Sequence, residues 1–197
     1  MMSVNSSNSD NNNSNNNPNT SCVSHESTCL CKKIRLSLTL DDKLQNYPLV
    51  CHCKTCNIWN GSVVTGVVFI PYGLIAKKNI NTDSHNNNTV TNITNKPISP
   101  LRILEGKEYD KCYCHTQGIY RHFCSECGTH IYNSFDSPII GEAVSIFPYL
   151  FPEVQFQPIA HNHYENHKLS VIDDLPHYWD MPTHYGGSGK LVQKQDQ

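Results

Sequence analysis

The chain has no surplus of charge of either sign. Its 15 Lys and Arg stand against 17 Asp and Glu, a formal −2 over 197 residues, and its isoelectric point lies near 6.6. That balance leaves no electrostatic footprint for nucleic acid and removes phosphate-backbone binding as a default. No apolar run approaches the roughly 20 residues that a bilayer-crossing helix needs, so no membrane span is expected. The opening stretch, MMSVNSSNSDNNNSNNNPNTS, lacks both a basic and an apolar segment and is not read as a signal peptide. A cytoplasmic, reducing compartment follows as the expectation, with nuclear residence also open. There, clustered cysteines are metal ligands or reactive thiols more often than disulfides. Long amphipathic helices are missing too. Hydrophobic residues make up only 38%, and mean hydropathy is −0.48, thin for a packed globule.

The deficit sits in two asparagine-rich tracts. Residues 1–21 are nearly all Asn and Ser and bury too little apolar area to offset chain entropy, so they are read as a disordered tail. A second polar tract, 79–97, is read as a low-complexity insertion, tolerated because the closure cost of a loop grows slowly with its length. The expected domain is a single one over 22–190, followed by a flexible end at 191–197. About 150 residues remain without the tracts, comfortable for one domain. Their periodicity is that of strands. Ile34, Leu36, Leu38 and Leu40 alternate with Arg35, Ser37 and Thr39. SVVTGVVFIP (62–71) is a β-branched run closed by Pro-Tyr-Gly. GIYRHFC and THIYNSF flank a cysteine pair as hairpin arms, and AVSIF (143–147) and KLSVI (168–172) read as further short strands. The predicted fold is mainly β, with several short antiparallel sheets and cysteine loops acting as staples.

What is abundant is cysteine, 10 in all. Cys22 stands alone; the others form four groups: Cys29 with Cys31, Cys51 with Cys53 and Cys56, Cys112 with Cys114, and Cys124 with Cys127. Cys124 and Cys127 form a C-x-x-C followed by Gly128. This spacing lets two thiolates grip one face of a tetrahedral ion, and glycine tolerates the positive φ such a loop often needs. Two more ligands are required for a closed zinc site, and Cys29 and Cys31 are the best suppliers. A redox role of the thioredoxin type is the alternative, but no βαβ pattern surrounds the pair.

Cys51, Cys53 and Cys56 supply three thiolates, with no fourth ligand in their own loop. Three protein ligands with an open position mark a catalytic zinc, and four mark a structural one. The alternative is that Cys112 or Cys114 closes this site. His52, between two candidate ligands, is sterically directed to a supporting or solvent-facing role. Three thiolates on zinc leave a net charge near −1, which weakens the ion as a Lewis acid and as a generator of hydroxide. A soft fourth ligand, another thiolate, suits it better. The reading leans to thiol chemistry, away from peptide or phosphate hydrolysis.

The order C-x-C, CHCKTC, FCSECGT, with the tail DDLPHYWDMPTHYGGSG (173–189), is similar to the glutathione-dependent formaldehyde-activating enzyme family, which also includes centromere protein V. The resemblance spans roughly Cys29 to Gly189 apart from the insertion. It implies a mainly β, zinc-stapled "β-tent" fold with two zinc ions. One, structural, would be held by Cys29, Cys31, Cys124 and Cys127; the other, the working ion, by Cys51, Cys53 and Cys56. It further implies a carbon–sulfur lyase activity and a small-molecule thiol partner, glutathione, which joins formaldehyde as S-hydroxymethylglutathione. Two departures stand out: Lys32 where the family often has Gly, and Asn57 where it often has Arg, which removes a charge beside the second metal. A non-catalytic zinc-stapled binding module and a thiol or metal carrier are the rival readings.

Other residues carry weaker signals. Arg121 and His122 could reach an anionic substrate, with a solvated strand face as the simpler reading. His161, His163 and His167 are read first as surface histidines. Trp59 and Trp179 are read as packing residues. GGSG (186–189) lacks the strand–loop–helix context of a phosphate loop and is read as a turn.

Overall fold

The computed structural model describes residues 22–41, 44–72, 98–138 and 140–193. The readings of 1–21 as a tail and 79–97 as an insertion fall outside them. The fold is mainly β, in two sheets. A three-stranded sheet is ordered β1 (Cys22–Thr28), β2 (Arg35–Asp41), β5 (Leu101–Glu105). A seven-stranded sheet comprises β10 (Ala160–Asn162), β3 (Tyr47–Cys51), β4 (Thr65–Pro71), β9 (Gly141–Ile146), β8 (His130–Ser137), β7 (Ile119–Cys124) and β6 (Asp110–Thr116), in that spatial order. All pairings are antiparallel except β10 on β3. One seven-residue helix, α1 (Lys54–Asn60), links β3 to β4 and ends on Gly61 at φ 61.

The alternation in β2 does what its period dictates: Leu36 and Leu38 are fully buried, together with Ile34 just before the strand. They pack with Val68 and Ile70 of β4, Ile131 of β8, and Val144 and Ile146 of β9, so this cluster joins the two sheets. The other face of β4, Val67 and Phe69, enters a second cluster with Leu49, Ala143, Ala160 and Tyr185. Burial on both faces explains why β4 reads as an unbroken apolar run.

The hairpin of GIYRHFC and THIYNSF forms as β7 and β8, paired antiparallel. KLSVI is a correction. Residues 168–172 form no strand; Leu169 and Ile172 are exposed, and Ile172 is 97% accessible. Alternation marks a strand only where a neighbouring edge accepts its backbone, and here Val171 N–H donates instead to the side chain of Tyr164, at 3.3 Å from its Oη. No helix among the described residues is long and apolar enough to cross a membrane.

Candidate metal centre

Two sequence-distant turns build the first thiol group. After β1 the chain turns through Cys29–Lys32, with Lys32 N–H donating to Cys29 O at 2.9 Å and Ile34 N–H aimed at Cys29 Sγ at 3.3 Å. Between β7 and β8 the Cys124–Cys127 knuckle closes by Gly128 N–H to Cys124 O at 2.8 Å, and Gly128 takes φ 72. Leu30 N–H donates to Thr129 Oγ1 at 3.1 Å, tying one turn to the other, and Lys33 pairs with Glu126 across the same gap. The four sulfur atoms of Cys29, Cys31, Cys124 and Cys127 lie within 4.8 Å of one another. Cys29–Cys31 and Cys31–Cys124 separations are 3.4 and 3.7 Å. A tetrahedron of Zn–S bonds near 2.3 Å has edges of about 3.8 Å, so the group fits one ion. Cys127 is drawn down to about 6: burial opposes ionisation, but bonds from the Thr129 hydroxyl and backbone and from Cys31 prevail. Cys31 is pushed up to about 12: the Lys33 backbone N–H pulls it down, and burial with its bonds to Cys29, Cys127 and Cys124 more than reverses that.

The second group sits where β3 passes into α1. Cys51 ends the strand, Cys53 precedes the helix and Cys56 lies in its first turn. Their sulfur atoms also lie within 4.8 Å of one another, and no fourth His, Cys, Asp or Glu joins them among the described residues. Cys112 and Cys114 are exposed on β6, where Cys114 Sγ donates to Thr116 O at 3.4 Å; neither closes the group. Bonds from Cys51 and Cys56 hold the Cys53 thiol far below the usual thiol range, against burial. Cys51 is raised well above that range by its bonds to Cys53 and Cys56 and by burial. Three sulfurs sharing protons in this way are a donor set in which a soft cation can replace the protons.

Asn57 explains itself structurally. It is buried, and its side-chain amide donates to His52 O at 3.2 Å and Val63 O at 2.9 Å, clamping the loop that carries the three thiols. The cation beside this group is Arg121 of β7. The bond to Cys51 lowers the Cys56 thiol and the charge of Arg121 adds a smaller pull, but the bond to Cys53, burial and the Cys53 charge outweigh both, leaving Cys56 at about 11. The solvated-face reading of Arg121 is therefore corrected. Its accessibility is 3%, because Ile119 and Arg121 share one face of β7 and that face lines a cavity. His122 is half-buried, with Nδ1 3.0 Å from Asp110 Oδ1 and Nε2 3.0 Å from Ser134 Oγ.

The histidine reading also changes. His161 is buried, and so are His52 and His177. His52 Nε2 lies 2.9 Å from His161 Nδ1; His161 Nε2 lies 2.9 Å from Asp173 Oδ2; His177 Nε2 lies 3.3 Å from Asp173 Oδ1. Since the carboxylate only accepts, His161 and His177 donate to it from Nε2. His161 Nδ1 is then the acceptor, and His52 donates to it. The chain of rings braces the loop between Cys51 and Cys53 from behind. Burial, then the nearby imidazoles, holds His52 down at about 4. His161, Asp173 and His177 also form a compact group of possible metal ligands, but hydrogen bonds account for these contacts. Sequence reasoning missed Asp173 and His177, whose partners lie far away in the chain. His163 lines the cavity beside the thiols. Trp59 packs as expected, stacked on His130 at 4.7 Å, whereas Trp179 is 45% exposed with Lys190 over its ring.

The fold is mainly β, and the two thiol groups are clusters that could each hold a metal ion. Over residues 24–96 the chain matches the family model of the glutathione-dependent formaldehyde-activating enzyme. That stretch holds Cys29, Cys31 and the whole second group, while Cys124 and Cys127 lie beyond it. No curated protein matches the chain.

Proposed function

We propose that the protein is a zinc-dependent carbon–sulfur lyase-type enzyme that forms or cleaves a thiol–aldehyde adduct, of which S-hydroxymethylglutathione is the family example. Cys29, Cys31, Cys124 and Cys127 would hold a structural zinc, and Cys51, Cys53 and Cys56 a second one. The observation that carries the reading is the second group. It offers three thiols and no fourth ligand among the described residues, and it borders a cavity. Zinc bound there would keep an incoming thiol in its reactive thiolate form near neutral pH. The protein's own residues then have defined tasks. Cys51, Cys53 and Cys56, which line the cavity, would hold the ion. Asn57 and the His52–His161–Asp173 chain hold the loop in register. Arg121 supplies a positive charge beside the thiols and so favours anionic character in the reacting sulfur or oxygen.

Native mass spectrometry should find two zinc ions per chain, and Cys53→Ser should retain one. The same variant should keep its fold while losing adduct formation from glutathione and formaldehyde. A wild-type rate no faster than the spontaneous reaction, with formaldehyde and with a longer-chain aldehyde alike, rejects the enzyme reading and leaves a zinc-stapled binding module.

A further inference from the structure

The cavity beside Cys51, Cys53 and Cys56 has a volume of about 300 Å³, at the lower end of the range for small-molecule sites. Its wall is mostly apolar, lined by Leu49, Val67, Phe69, Phe135, Ile140 and Met181. Among its lining residues are buried polar atoms with no hydrogen-bond partner among the described residues: Arg121 Nη1, Asn133 Oδ1 and Asn162 Oδ1. Burying such atoms unpaired is costly, most of all for a guanidinium. Two of them are placed by the sheet. Arg121 and Asn133 are directly opposed across β7 and β8, and Asn133 is opposed in turn to Ser145 on β9. Asn133 commits its amide nitrogen to Ser145 Oγ at 3.0 Å, which leaves its oxygen as a free acceptor beside the Arg121 donor. An apolar chamber with one adjacent donor and acceptor fits a ligand with one oxygen that can both accept and donate, carried on a hydrocarbon body.

We infer that this cavity takes an aldehyde with an apolar chain of several carbons, and its thiol adduct, in preference to formaldehyde. The inference rests on the thiol–aldehyde reading above and names its substrate class. In the forward step the sulfur forms a bond to the carbonyl carbon while the C=O π bond breaks. The electron pair moves to oxygen, and the proton released by the thiol ends there. Arg121 Nη1 donates to that oxygen while it is anionic, and Asn133 Oδ1 accepts a hydrogen bond from it once it is a hydroxyl. Formaldehyde would satisfy the polar pair and leave the hydrocarbon wall uncovered. Glutathione brings two carboxylates and an ammonium against a single buried cation, so its backbone belongs outside the chamber.

The test uses the full-length, zinc-loaded protein. Calorimetric titration with hexanamide and with acetamide, unreactive carbonyl probes, should give affinity about tenfold or more higher for the longer chain. Ile119→Phe, which narrows the cavity, should remove that difference while zinc content and melting temperature hold; Arg121→Gln should weaken both probes alike. In parallel, the rates of adduct formation from glutathione with hexanal and with formaldehyde are compared with the spontaneous rates. Equal affinity for the two amides, or no response to Ile119→Phe, overturns the inference. Acceleration of the formaldehyde reaction then leaves the enzyme reading standing. Chain-length selectivity without acceleration of either aldehyde supports the cavity's ligand class and overturns the enzyme reading instead.

Discussion

Lys32 occupies a backbone conformation that glycine would hold without strain. Its φ is 63, in the left-handed region where a Cβ crowds the following carbonyl. The departure from the family's glycine noted in the sequence is therefore a local strain beside the first thiol group. Lys32→Gly should raise the denaturant midpoint, by up to about 1 kcal/mol of stability, with zinc stoichiometry unchanged; a lowered midpoint would show that the lysine side chain contributes more than its backbone costs. His52 gives a second residue-scale expectation. Folded, it stays neutral down to about 4, whereas in the unfolded chain it takes a proton in the ordinary histidine range. The unfolded state thus gains protons first as pH falls, and the stability held above about pH 6.5 is lost progressively toward pH 4. An NMR titration should show the His52 ring unprotonated at pH 5; a midpoint near 6.5 would contradict this.

Among the elements, the sheets were more legible than their partners. Period-two alternation marked β2, a β-branched apolar run marked β4, the arms flanking the Cys124–Cys127 pair marked β7 and β8, and a short apolar run marked β9. β1, β3, β5, β6 and β10 were not assigned: β1 and β6 are largely exposed, and β10 has three residues. The seven cysteines of the two groups were legible because short C-x-C and C-x-x-C spacings bring thiols together locally. The imidazole chain was not, since His52 and His161 meet through the parallel pairing of β3 with β10, a contact between strands far apart in sequence. Arg121 lay within reach: the period of β7 puts it on the face of Ile119. At this scale, Leu36→Ala in β2 should cost about 2–5 kcal/mol in chemical unfolding, since that side chain is buried in the cluster joining the two sheets. Asn57→Ala should cost about 1–3 kcal/mol by leaving the His52 and Val63 carbonyls without their donor, and should also weaken zinc retention at the second group, as read by chelator competition. Unchanged retention would separate the clamp from the metal.

For the whole molecule, the first thiol group joins the turn after β1, which feeds the three-stranded sheet, to the β7–β8 knuckle in the seven-stranded one. Cys31 and Cys124 stand 93 positions apart. An ion held there would bind the folded chain, where the four thiols are assembled, and not the unfolded one, so stability and metal binding would be coupled. Removing zinc with a strong chelator should lower the melting temperature by several degrees or more. Cys124→Ser should do the same without further loss on chelation of that site, whereas Cys53→Ser should melt close to wild type.

The position of that tie has a consequence for how the chain tolerates change. The asparagine-rich tract falls inside the span that the ion would fasten, so its length can drift with little penalty while the fastening holds. With an ion bound there, the molecule would behave toward a chelating agent as a secreted protein behaves toward a reductant: one reversible chemical event would undo the cross-link, and the availability of free metal would set how long the fold persists.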